Sequence, residues 1–180
     1  AMSLGGMVAV DWASRFPDEI AAGVLINTSL RGISPLHWRM RPGNWPWLLR
    51  LMLQWRQPLR CEEIVLRLTS RRHAAGTAPA QALLAQWQGL RETHPVSAAN
   101  ALRQLWAAAG YAAPSQRPKV PLLLLTSQHD GLVDTRCSQR LAQHWHTALA
   151  IHPHAGHDLP LDDGCWVAER VGAWMSDSWN

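Results

Sequence analysis

Three features of this 180-residue chain predict an α/β layer fold, with about three parallel strands, flanking helices and one long helical insertion. Short continuous apolar runs at Gly23-Val24-Leu25-Ile26 and Leu122 to Leu125 suit strands buried on both faces. Segments with apolar residues at helical spacing alternate with these runs, and that alternation favours parallel strands joined by right-handed crossovers. Between the two runs, residues 31–112 carry helical signals only.

The elements follow in order. Residues 2–7, Met-Ser-Leu-Gly-Gly-Met, read as a tight turn opening a helix over Leu4 to Phe16, where Met7, Val8, Val10, Ala13 and Phe16 recur at helical spacing. Pro17-Asp18 closes it. The first strand is expected over 22–28. Helices are then predicted over Pro46 to Trp55, Glu62 to Arg72, Pro79 to Arg91 and Pro95 to Ala109, several of them beginning at or near a proline, which suits a first turn. Residues 112–121, with Pro114 and Pro118, read as a connector. A second strand over 121–127, a helix over Asp134 to Trp145, a weaker third strand over 148–152 and a closing helix over Asp163 to Met175 complete the chain.

Composition narrows the function classes. A 47% hydrophobic content suits a globular core, and no apolar run approaches the roughly 20 residues needed to span a bilayer. Cys61, Cys137 and Cys165 are odd in number and scattered, favouring free thiols in a reducing compartment, hence a cytoplasmic location. From Arg31 to Arg103 there are eleven arginines against Glu62, Glu63 and Glu92, a formal +8, while the remainder is net acidic. Arginine enrichment of this kind reads first as genomic base composition; its functional reading is attraction of anionic substrates or lipid surfaces. Nucleic acid is not an expected partner. His144, His146, His152 and His154 form two His-x-His pairs, but His144 and His146 diverge at helical spacing and no Cys or carboxylate completes a set, so no metal and no cofactor is expected.

The chemistry rests on three residues in the order Ser, Asp, His. Ser3 lies in the opening turn, Asp130 follows the second strand in His129-Asp130-Gly131-Leu132-Val133, and His157 follows the third in Ala155-Gly156-His157-Asp158. A serine hydroxyl needs a base to become nucleophilic, and an imidazole needs a carboxylate to fix its tautomer. Asp134 also follows the second strand, where it reads as a cap of the next helix, and Asp158, Asp162 and Asp163 read as turn and N-cap residues.

Over its whole length the chain resembles the α/β-hydrolase superfamily, from its nucleophile elbow Gly-x-Ser-x-Gly, with Ala1 at the first glycine position, through the acid after strand 7 to the histidine after strand 8. The resemblance implies a partial α/β-hydrolase fold: residues 1–30 and 113–180 as core, and 31–112 as a helical lid between strands 6 and 7. It implies Ser3 as nucleophile, Asp130 as orienting acid, His157 as general base and the Leu4 N–H as oxyanion donor, acting on a small-molecule ester, thioester or similar acyl substrate. Trp38, Trp45 and Trp47 are the expected substrate-binding residues of the lid. Complete members carry about five further strands before the elbow, roughly a hundred residues or somewhat fewer. Ala1 accordingly reads as a cloning remnant and Met2 as a start codon inside a longer frame, and the chain is expected to be poorly active on its own.

Two interaction surfaces are also expected. The segment around Trp45, Trp47 and Trp55 is apolar nearly all round, which points to burial as the centre of the lid, or else to an acyl chain or lipid interface. The strand over 22–28 would be an open edge, predicting a homodimer through that strand or the elbow helix; the alternative to catalysis is a non-catalytic remnant that self-associates or binds lipid.

Overall fold

A computed structural model describes residues 1–114 and 116–178; Ser115, within the predicted connector, lies outside the described residues. Three parallel strands, β1 (Gly23–Ile26), β2 (Leu122–Ser127) and β3 (Ala148–His152), form a sheet in the order β1-β2-β3. Val24 pairs with Leu123, and Leu124 with Leu149. This is the predicted α/β architecture.

Alternation along β2 builds two cores, one on each face of the sheet. Leu122 and Leu124 join Val10 and Ala13 of α1 (Leu4–Arg15) and Leu141 and Trp145 of α7 (Arg136–Trp145). Leu123 and Leu125 point the other way, joining Ala155 and Leu159 with Trp166 and Val167 of α8 (Leu159–Ser178) packed against them. All six residues of β2 are buried, which is why Leu122 to Leu125 form a continuous apolar run instead of an alternating one.

Among the described residues five α-helices lie between β1 and β2, namely α2 (Leu36–Arg39), α3 (Trp45–Leu53), α4 (Pro58–Thr69), α5 (Ala78–Thr93) and α6 (Ala98–Gly110), with a 3₁₀ turn at Pro42–Asn44. The single turn α2 has no counterpart in the sequence reading, being too short to show a period. Helices α5 and α6 are capped by Thr77 and Ser97, whose hydroxyls accept from the N–H groups of Ala80 and Asn100. Glu62 of α4, buried, pairs with Arg91 of α5 at 2.9 Å and ties the two helices together.

Four expectations need correction. β1 ends at Ile26 and not at residue 28, because Asn27 turns into the left-handed region at φ 47°. The edge of β1 is partly covered: Met2 bridges Ile26 in parallel, the Ala1 ammonium donates to the Val24 carbonyl and Ile26 N–H donates to the Ala1 carbonyl. The apolar helix α3 has no buried residue, and Trp45, Leu49 and Leu53 are exposed, since α3 has few neighbouring elements to pack against. Asp162 is no cap; it lies buried between two loops, and Asp163 caps instead, accepting from Trp166 N–H at a break in α8. Among the described residues no helix is long and apolar enough to cross a membrane.

Candidate active site

The parallel sheet delivers three loops to one end. Ser3 follows the residue bridged to Ile26, Asp130 follows β2, and His157 follows β3, so all three lie beyond the carboxyl ends of strands. Ser3 holds φ 51° and ψ −120°, a strained conformation for a side chain with a Cβ. Its N–H donates to the Ile26 carbonyl at 2.9 Å, and its own carbonyl accepts from the Thr28 hydroxyl at 2.8 Å. Thr28 also explains one of the two glycines after Ser3, Gly6. A Cβ on Gly6 would sit 2.7 Å from Thr28 Oγ1, whereas a Cβ on Gly5 would meet nothing within 4 Å. Gly6 is therefore the position that closes the turn.

Asp130 and His157 form a buried pair, Nδ1 to Oδ2 at 2.7 Å, with residue exposures of 2% each. The other carboxylate oxygen of Asp130 accepts from the N–H groups of Leu132 and Val133 at 2.7 and 2.9 Å. The acid is thus fixed by its own loop while one oxygen holds the ring. No hydrogen bond joins Ser3 Oγ to His157 among the described residues. Such contacts are often loose without substrate.

Two residues that the sequence does not mark as part of the site, Asn27 and Asp162, hold this arrangement. Asn27 is 1% exposed; its Nδ2 donates to the His157 carbonyl at 2.7 Å, and its Oδ1 accepts from Ser127 N–H at 2.9 Å and Thr126 Oγ1 at 3.2 Å. Ser3 is bonded to Ile26 and His157 to Asn27, so consecutive residues of one strand end carry both loops. Asp162 accepts from Ser70 Oγ, Arg71 N–H, Arg72 N–H and Gly156 N–H, joining the loop after α4 to the loop of His157. Gly156 makes that contact close: a Cβ there would lie 2.6 Å from the Thr69 carbonyl oxygen. The signal for Asn27 was a polar residue ending an apolar run; for Asp162, separated by ninety residues from Arg72, there was none.

A cavity of about 340 Å³ is lined by Ser3, Leu4, Trp45, Leu48, Leu105 and Arg39, among others. Leu4 opens α1, so its N–H is one of the first-turn donors that lack an intrahelical partner. Of the three predicted tryptophans only Trp45 lines this cavity. Trp38 is instead stacked by Arg136 and Arg140 at 4.0 and 4.5 Å, and Trp47 by Arg67 at 4.3 Å beside a separate cleft of about 600 Å³. Asp134 pairs with Arg41 and Arg136 and accepts from Arg136 N–H; the Arg136 hydrogen bond holds its carboxyl at about 2. No group of three His, Cys, Asp or Glu able to hold a metal ion occurs among the described residues.

Known proteins share the fold. The family model described as serine aminopeptidase, S33, matches residues 1–164. No curated protein matches the sequence. Among solved structures, a proposed lipase from Acinetobacter baumannii AYE is 16% identical with a TM-score of 0.73, covering 98% of this chain and 59% of its own. A thermophilic esterase from Thermogutta terrifontis is 19% identical, with a TM-score of 0.69 and coverages of 98% and 63%. The enol-lactonase of Burkholderia xenovorans LB400 is 21% identical, with a TM-score of 0.71 and coverages of 97% and 64%. The chain thus spans 59 to 64% of the length of these structures, whose likeness is one of fold. With its parallel sheet and its family match over residues 1–164, the chain belongs to the S33 serine aminopeptidase family of α/β-hydrolases.

Proposed function

We propose that Ser3, His157 and Asp130 are the nucleophile, general base and orienting acid of a serine hydrolase acting on an ester, thioester or similar carboxylic substrate. The buried contact of 2.7 Å between His157 Nδ1 and Asp130 supports this reading most directly. With Nδ1 engaged, the imidazole has Nε2 to take the Ser3 proton as the hydroxyl attacks the acyl carbon, and Asp130 stabilises the imidazolium. The Leu4 N–H and the positive end of α1 oppose the charge developing on the carbonyl oxygen. His157 then returns its proton to the leaving group, and water releases the acyl-enzyme by the same route. The insertion from α2 to α6 acts as the lid, with Trp45 against the substrate.

In this reading the Leu4 N–H is an oxyanion donor, and loss of one such donor costs about 10² to 10³ in turnover. Release of 4-nitrophenol from a short 4-nitrophenyl ester tests the proposal: S3A and H157A abolish release, and D130N lowers it by roughly 10³ to 10⁴. Wild-type release no faster than that of S3A refutes it.

A second reading rests on exposed apolar residues. Val8 and Trp12 of α1 and Phe16 just after it are each half or more exposed, as are Trp45, Leu49 and Leu53 of α3. We infer self-association through α1 and the edge of β1, giving a homodimer; a monomeric mass by light scattering at micromolar concentration excludes it. Lipid binding by α3 is its counterpart, and absence of flotation with anionic liposomes at low salt excludes that. A reducing compartment such as the cytoplasm suits the three cysteines, all free among the described residues.

A further inference from the structure

Arg39 is the one buried arginine among the described residues, at 7% exposure. Buried charges are normally paired, because an isolated cation in a low-dielectric interior is costly. Arg39 has no carboxylate partner among the described residues. Its two terminal nitrogens donate to the Ala108 and Ala109 carbonyls at 2.6 and 3.2 Å, in the last turn of α6. Those bonds use two of five N–H groups, and the buried Nε–H has no acceptor. The helix end supplies only a partial negative charge.

The cavity shared with Ser3 makes this cation informative. Apart from Ser3 and Ser29 its wall is otherwise apolar, formed by Leu36, Met40, Trp45, Leu48 and Leu105 among others, and it contains no Asp or Glu. Arg39 is therefore the one charged group lining the space in which the acyl bond would be held. At about 340 Å³ it falls near the lower end of the size range of small-molecule sites. The nearby carboxylate of Asp134 is already shared by Arg41 and Arg136.

Building on the hydrolase reading, we propose that Arg39 binds a carboxylate carried by the substrate, so that the site selects small anionic acyl compounds over neutral ones of the same length. The apolar wall encloses the chain between the acyl carbon and the carboxylate, and Arg39 supplies the charge that the cavity lacks. A charge-assisted hydrogen bond in such a site favours the anionic ligand by about 10- to 100-fold.

The test is calorimetric titration of the S3A protein with mono-4-nitrophenyl glutarate and with 4-nitrophenyl valerate. S3A removes turnover and leaves Arg39 in place. The glutarate half-ester is expected to bind at least tenfold more tightly. In S3A/R39M that advantage falls below twofold, and in S3A/R39K part of it remains. Equal affinities on S3A, binding of neither ester, or a preference that survives in S3A/R39M overturns the proposal, and the first two need no folded Arg39 variant. Because binding to S3A is independent of turnover, failure of the hydrolase reading registers separately, as absence of wild-type ester hydrolysis while the anionic preference persists.

Discussion

Replacement of Asn27 by Ala removes the side chain that joins the ends of β1 and β2 to the His157 loop. In the wild type, Ser127 N–H and Thr126 Oγ1 reach Asn27 Oδ1, and Asn27 Nδ2 reaches the His157 carbonyl and Ser127 Oγ. All of these groups are buried, and an orphaned buried polar group costs about 1 to 3 kcal/mol. Residue 27 also sits at φ 47°, where Ala is less tolerated than Asn by roughly 1 kcal/mol. Some of the orphaned groups re-pair or admit water, so N27A is expected to lose about 4 kcal/mol, a large part of the 5 to 15 kcal/mol typical of a domain. The assay is urea unfolding with linear extrapolation, using N27G as control. Gly restores the backbone freedom and recovers about 1 kcal/mol relative to Ala. A loss under 1 kcal/mol in N27A refutes the hydrogen-bond account, and N27G no more stable than N27A refutes the backbone contribution.

Acid sensitivity follows from two carboxyls. The Arg136 side chain holds Asp134 at about 2; burial alone would raise Asp162, but hydrogen bonds from Ser70, Arg71, Gly156 and Arg72 outweigh it and keep that carboxyl below its ordinary value. A carboxyl whose pKa is depressed by folding stabilises the fold above its unfolded value of about 3.9 and loses that contribution as pH falls through the folded value. The urea midpoint should therefore decline from about pH 4 towards pH 2, and D162N should flatten that decline while lowering the midpoint at pH 7; an unchanged profile contradicts the role given to Asp162. Thiol alkylation should divide the cysteines. Burial pushes Cys137 up to about 11 and raises Cys61, whereas Cys165 is exposed, so iodoacetamide at pH 8 should modify Cys165 first and Cys137 only on unfolding. Modification of Cys137 in the folded protein at a rate equal to that of Cys165 contradicts the packing around α7.

The strands were legible because a sheet covered on both faces imposes a local signature, and Leu122 to Leu125 carries it without interruption. The positions of Asp130 and His157 were legible because each sits just beyond a strand, and their 2.7 Å contact brings the two loops together. In sequence Asn27 reads as strand interior, since its backbone flip depends on partners from β2 and the His157 loop. Asp162 reads as a cap because its neighbours in sequence suggest one, while its partners come from the loop after α4 and from Gly156. The tryptophans show the same limit: Trp38 and Trp47 look like lid ligands in one dimension, yet arginines from other turns stack on them in three. Burial of α3 was inferred from its own composition, whereas burial depends on what lies opposite.

The central claim is that His157, held by Asp130, activates Ser3. Its most direct test is labelling with a fluorophosphonate probe followed by mass mapping of the modified residue. The account predicts a single adduct on Ser3, slowed by D130N and absent from S3A and H157A. No adduct on the wild-type chain, or an adduct that persists in S3A, contradicts it.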